Sequence, residues 1–262
     1  MKDMVKVGVI GLGEAGSLIA EGLKNAGAAV IGFDTSRPID STVVVAADLG
    51  EAVRGSDVVL SINSATAARS VAREAALLIE PTAVFADLNT GTPALKASLA
   101  ELFGPGIFAD VAIMKPVPGL AEKVPMAVAG PGARRFLELM APLGLNLEYV
   151  SPDPGAAAAR KLLRSILAKG TAAVLIDYLW AAERLGLEDW AYEELLSDFD
   201  SHTADTAKRY LEGTAKHVKR RQIEMMDVTE MLAEIGYQST MVDGVALTYS
   251  RILHSTRIPH SR

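Results

Sequence analysis

Val7-Gly8-Val9-Ile10-Gly11-Leu12-Gly13-Glu14-Ala15-Gly16 is the stretch that decides the fold of this chain. A β-branched run leads into glycines at 11, 13 and 16, and an alanine-rich amphipathic segment follows. In this pattern the three glycines serve separate ends: a tight turn, close approach of backbone to a pyrophosphate, and close packing of helix on strand. The unpaired N–H groups at the helix start then favour an anion. A glycine-rich turn alone is common, so the context carries the reading. It is complete here: a strand before, a helix after, and an acidic residue closing the next strand, Asp34 in Val30-Ile31-Gly32-Phe33-Asp34. A carboxylate there suits the hydroxyls of an adenine ribose and repels a 2′-phosphate. NAD is therefore the expected cofactor, with NADP left open because Arg37 follows. The expected contacts are Gly11, Leu12, Gly13, Glu14, Ala15, Gly16 and Asp34.

Outward from this turn, short β-branched runs alternate with longer amphipathic ones. Strands are expected over residues 5–10, 28–33, 43–46, 57–62, 83–86, 106–111, 124–129 and 145–150, and helices over 14–26, 65–79, 93–103 and 133–141. That alternation predicts α/β architecture, a Rossmann-type doubly wound and mostly parallel sheet. After Ser151-Pro152-Asp153-Pro154-Gly155 the strand signals stop. Helices are expected over 156–185, 189–199, 201–211, 215–235 and 238–254. The chain reads as two domains: a dinucleotide-binding domain over 1–150 and an all-helical domain over 151–262 that opens with a long helix.

Composition narrows the function classes. Of 262 residues, 50% are hydrophobic and 22% charged, enough for a sizeable core. A net charge of -6 gives no footprint for nucleic acid. With no cysteine, disulfide scaffolds, thiolate zinc sites and thiol nucleophiles are excluded. The four histidines are scattered, and no metal site is expected. No apolar run approaches the ~20 residues that span a bilayer. The charged start, Met1-Lys2-Asp3-Met4, does not read as a signal peptide, so a cytoplasmic protein with a small-molecule substrate is expected.

Two further loops end strands with small polar residues: Ser61-Ile62-Asn63-Ser64 and Asp87-Leu88-Asn89-Thr90-Gly91-Thr92-Pro93. Ligands of open α/β sheets bind outside the carboxyl ends of the strands. Ser61, Asn63 and Thr90 are therefore expected beside the nicotinamide half of the cofactor. Helix capping by Ser64 and Thr92 explains the same residues equally well.

The run Gly155-Ala156-Ala157-Ala158-Ala159-Arg160-Lys161-Leu162-Leu163-Arg164-Ser165 resembles the interdomain helix of the β-hydroxyacid dehydrogenase superfamily, which includes 3-hydroxyisobutyrate and 6-phosphogluconate dehydrogenases. The glycine turn and Asp87-Leu88-Asn89-Thr90 are similar to that family's other signatures. The C-terminal half looks most like a less characterised branch whose helix carries Lys-x-x-Arg-Ser, here Lys161, Arg164 and Ser165. The resemblance implies an NAD(P)-dependent oxidoreductase that moves a hydride between nicotinamide and a secondary alcohol or carbonyl. Lys161 would be its acid/base, and Ser165, one turn on, would bind substrate. It also implies a residue from the helical half near the cofactor, for which Arg221 is the candidate, with His217 near the substrate. On its own spacing that segment, residues 216–225, reads as a basic exposed helix face.

This chain departs from the family pattern after the sixth strand. Met114 stands where a substrate-binding serine is usual, and Lys115-Pro116 where glycines are. Proline has no N–H for a carboxylate, while Lys115 offers a point charge and Met114 an adaptable apolar wall. Ser165 replaces the usual asparagine. Two other readings stay open: imine reduction on the same scaffold, which Lys161 disfavours, and a non-catalytic dinucleotide-binding protein. The long apolar helix has little company within one chain, so a homodimer through the helical half is expected.

Overall fold

Strand β1 (Lys6–Ile10) is buried at four of its five positions, as a strand covered on both faces must be. It is the third strand of an eight-stranded sheet in the computed structural model, which describes residues 4–36, 42–64, 66–200 and 202–254. Arg37 falls outside these residues. The other strands are β2 (Ala29–Phe33), β3 (Val44–Val45), β4 (Val58–Ser61), β5 (Val84–Asp87), β6 (Phe108–Ile113), β7 (Met126–Ala129) and β8 (Leu147–Ser151). Their order is β3-β2-β1-β4-β5-β6-β7-β8, and all pairings are parallel except β6 with β7. Chain order reverses at β1, between β2 and β4. That reversal opens the crevice in which such sheets take ligands.

Alternation along the strands splits the core into two layers. Val7 and Val9 face one side with Leu60, Ile19 and Leu23, the last two from α1 (Glu14–Asn25). Ile10, Val59 and Phe85 face the other, against Val53 of α2 (Leu49–Val53) and Leu99 of α4 (Pro93–Ala100). Helix α2 is absent from the elements expected of the sequence. Its start is doubly capped, by Asp48 accepting the Glu51 N–H and by Glu51 accepting the Ala47 N–H. Helices α3 (Ala68–Ala76) and α5 (Ala133–Met140) complete the layers.

The chain divides into two compact units, Met1–Ser165 and Ile166–Arg262. Helix α6 (Ala156–Leu185), 30 residues long and bounded where the sequence puts it, starts in the first unit and continues in the second. In the second unit follow α7 (Glu188–Asp200), α8 (Ala204–Glu234) and α9 (Thr240–Leu253). The sequence predicts two helices in place of α8, broken near Gly213. Two helical segments are present, but the break between them falls four residues later, at His217, where φ is -125°; Thr203 and Thr206 form a capping box at the start. A single glycine weakens a helix without ending it. The turn from α8 to α9 is tied to α6 by Asp177, which accepts hydrogen bonds from the hydroxyls of Tyr237 and Ser239. Among the described residues no helix is long and apolar enough to cross a membrane.

Candidate active site

The glycine turn has the geometry its spacing predicts. Gly11 has φ +100°, and a Cβ there would lie 2.2 Å from the Ile62 carbonyl oxygen. A Cβ on Gly16 would lie 1.9 Å from the Gly11 oxygen, so α1 can pack on β1 only with glycine at this position. Gly13 differs. Its φ of -68° suits any residue, and nothing stands within 4 Å of where its Cβ would be. It is the N-cap of α1 and offers no side-chain bond, so the first-turn N–H groups face open space uncapped. Leu12 N–H donates to Asp34 Oδ2 at 2.7 Å and Ser36 N–H to Oδ1 at 2.8 Å, which fixes the carboxylate at the end of β2. Beside it Phe33, Thr35, Val45, Ala46 and Glu51 line an open groove. The carboxylates of Asp34 and Glu51 are among the groups there, and a carboxylate suits ribose hydroxyls. The arrangement fits a dinucleotide, with phosphate on the first turn of α1 and ribose at Asp34.

The loops after β4 and β5 are joined to this turn. The Asn63 Oδ1 lies 2.8 Å from the Cβ position of Gly11. Asn63 N–H donates to Asn89 Oδ1 at 2.5 Å, and both side-chain amides donate to Ser61 Oγ at 3.0 Å. Thr92 Oγ1 caps α4 by accepting the Leu95 N–H, whereas Ser64 Oγ accepts the Ala67 N–H in the turn before α3, whose N-cap, Ala67, has no side-chain bond. Thr90 is exposed at the rim.

Beneath these loops lies a cluster of buried charge that sequence reasoning missed. Phe85-Ala86-Asp87 and Phe108-Ala109-Asp110 are identical triplets, paired residue for residue in β5 and β6. Two carboxylates are thereby set side by side, 1% and 0% exposed, and a cation must answer them. It is Lys96 of α4, itself 1% exposed. Its Nζ donates to Asp87 Oδ2 at 2.6 Å and to the Asp87 carbonyl at 2.8 Å, and lies 3.4 Å from Asp110 Oδ1. The last is an ion pair without hydrogen-bond alignment, since Oδ1 has no hydrogen-bond partner. Asp110 Oδ2 accepts the N–H groups of Gly155 and Ala158 at 3.0 and 3.1 Å, and so caps α6 from another strand. The repeated triplet was the available signal, together with Lys96 lying one turn before Leu99 on a buried helix face.

Lys161 is half-buried one turn beyond Ala158 and lines a closed cleft, too narrow here to admit a water molecule, with Asn89, Thr90, Gly91, Lys96, Asp110 and Leu162. Ser165 is half-buried one turn further. Met114 packs on Ala112, Ala127, Ala129 and Ala157, whereas Lys115 is exposed. The first unit thus brings together the glycine turn, Asp34, Asn63, Thr90 and Lys161, whereas Ser61 is 0% exposed and supports the Asn63 and Asn89 amides from within. His217, exposed at its kink, and Arg221, which donates to Thr214 Oγ1 at 2.9 Å, lie on α8 in the second unit. Among the described residues no group of three or more acidic or histidine side chains could hold a metal ion.

Residues 3–95 match the NAD-binding domain of D-isomer specific 2-hydroxyacid dehydrogenases, and residues 182–252 match a domain of unknown function (DUF1932). A conserved hypothetical protein of Sinorhizobium meliloti 1021 is 33% identical, with 100% of this chain and 92% of that one covered and a TM-score of 0.62. The conserved protein MTH1747, described as structurally similar to 3-hydroxyacid dehydrogenases, is 28% identical over 95% of this chain and 97% of its own, with a TM-score of 0.63. An imine reductase variant from Myxococcus stipitatus, in complex with NAD+, shares the fold at a TM-score of 0.78 but only 14% identity, over 96% and 94% of the two chains.

Proposed function

We propose that the chain is a member of the β-hydroxyacid dehydrogenase superfamily and interconverts a secondary alcohol and a carbonyl with NAD(P), using Lys161 as the acid/base. The observation that carries this reading is continuity within one unit. The glycine turn touches Asn63, Asn63 holds Asn89, and Asn89 lines the same cleft as Lys161.

When bound, the nicotinamide supplies or accepts the hydride. The protein's part is binding and proton transfer. The first turn of α1 holds the phosphates, and Asp34 accepts the ribose hydroxyls, which favours NAD over NADP. In reduction the Lys161 ammonium gives its proton to the substrate oxygen as negative charge builds there; in oxidation the neutral amine takes the hydroxyl proton. Ser165, on the same helix face, hydrogen-bonds the substrate or orients the amine. Met114, with Lys115 at the rim, favours a bulkier or more apolar substrate than a short hydroxy acid.

The active form is a homodimer. Leu163, Ile166 and Leu167 form a stripe on α6 that is 66%, 72% and 72% exposed in the single chain. In the second unit Val174, Tyr178, Trp190, Met225 and Met231 line an apolar groove, and a second copy would cover both surfaces.

The test is oxidation of NADH and NADPH by the full chain on a panel of ketones, aldehydes, 2- and 3-oxo acids and cyclic imines. Turnover on a carbonyl that Lys161→Ala abolishes, with NADH binding kept, is the expected result. Turnover confined to imines, or unaffected by Lys161→Ala, overturns it. A wild type that binds NADH and turns over nothing supports a binding protein instead.

A further inference from the structure

Lys96 takes no part in cofactor binding or proton transfer as assigned above, yet it is among the most deeply buried side chains in the molecule. A buried ion cluster is a poor source of stability, because desolvation offsets the attraction and apolar replacements often do as well. Its connections offer another role. One carboxylate it holds, Asp87, receives the Asn89 amide at 2.5 Å, and Asn89 in turn receives the Asn63 N–H beside the glycine turn. The other, Asp110, receives the N–H groups that start α6, one turn before Lys161. The two helix starts also touch: a Cβ on Gly155 would lie 2.7 Å from the Pro93 oxygen at the head of α4, the helix that carries Lys96. One ammonium therefore has a carboxylate on each side, the first leading to the cofactor loop and the second to the helix of the acid/base.

We propose that Lys96 is the positioning residue of the site, a buried cation that sets the Asn63–Asn89 loop and the first turn of α6 relative to each other. The proposal rests on Lys161 being the acid/base, but its test does not depend on turnover. Lys96→Met keeps length and removes charge; Lys96→Arg keeps charge. Three quantities are read in the full chain well below its melting temperature: amide hydrogen exchange at Asn63, Ala158 and Ala159, the Kd for NADH, and the labelling rate of Lys161 by acetic anhydride. In Lys96→Met, exchange at Ala158 should quicken about tenfold, the factor that goes with losing a helix cap. NADH should bind more weakly and Lys161 labelling should change, while exchange in α9 stays as in wild type. Lys96→Arg should restore part of each. If Lys96→Met lowers the melting temperature but leaves all three readouts unchanged, Lys96 is only structural and the proposal fails. Should Lys96→Met not fold, Asp110→Asn keeps an oxygen for α6 and loses the charge facing Lys96; unchanged exchange and NADH affinity there would equally overturn it. Lys161→Ala separates the two ideas: undiminished turnover removes the acid/base reading, while exchange and NADH binding still decide the role of Lys96.

Discussion

Asp110 and Ala158 lie 48 positions apart in sequence and are joined by a 3.1 Å hydrogen bond, from the Ala158 N–H to Oδ2. A strand residue thus performs the capping that usually falls to the residue just before a helix. The other oxygen of the same carboxylate faces Lys96. Removing the carboxylate leaves the cation half-answered and the helix start uncapped. Asp110→Ala should lower the unfolding free energy by about 3 kcal/mol, in the range for breaking a buried charge pair. Urea denaturation followed by circular dichroism measures it, and a loss no larger than that of an exposed Asp153→Ala control would contradict this account.

The glycines at 13 and 16 should separate binding from folding. Gly13 has space and an ordinary φ, so Gly13→Val should melt with wild type while its Kd for NADH rises about tenfold or more, because the side chain takes the phosphate's place. Gly16→Val meets backbone at 1.9 Å and should fail to fold or melt far lower. Calorimetry and NADH titration on the pair decide the matter; equal melting losses in both would refute the distinction.

Asp34 should set cofactor choice. Asp34→Ser removes the charge that repels a 2′-phosphate, and the ratio of NADP to NAD affinity should rise about tenfold, the usual scale of one such electrostatic contact. Binding titrations with both cofactors read the ratio directly. A ratio that stays put assigns the preference elsewhere.

Tyr237 titrates above its ordinary value of 10.0, first because its hydroxyl donates to Asp177, then through burial and the Asp177 charge, with Arg184 opposing. A raised folded value means stability that is complete below pH 10 and lost as pH climbs from there through the folded value. Tyr237→Phe should cost about 1 kcal/mol at neutral pH. The difference between wild type and Tyr237→Phe should then shrink as pH rises above 10. A constant difference across that window would contradict the linkage.

The exposed stripe on α6 should be an interface. Ile166→Asp places a charge where the single chain is 72% exposed, so folding is untouched while association weakens. Light scattering should give a dimer for wild type and a monomer for the variant at micromolar concentration. A monomeric wild type would end the dimer proposal.

The periodic features are legible in the sequence. Glycine spacing locates the phosphate turn, apolar runs locate all eight strands, and Gly155 and Gly186 bound α6 within one residue. Three things escape it, for physical reasons. Helix α2 is too short for a period to register and is announced only by its caps. The break in α8 falls at His217, which is neither proline nor glycine, so its position carries no local signal. The Asp87–Lys96–Asp110 cluster is hidden because charged residues are mostly solvated; recognising it requires the register of two strands, which no single segment contains.

The bond from Ala158 to Asp110 also sets the rotational phase of α6. Each residue advances an α-helix by about 100°. One residue inserted between Ala158 and Lys161 would leave the helix intact and the sheet undisturbed, yet swing the amine about a quarter-turn away from the cleft it lines. Indels beyond Ser165 carry no such penalty for the amine. The permissible changes of length in this chain are therefore divided by a boundary three residues wide.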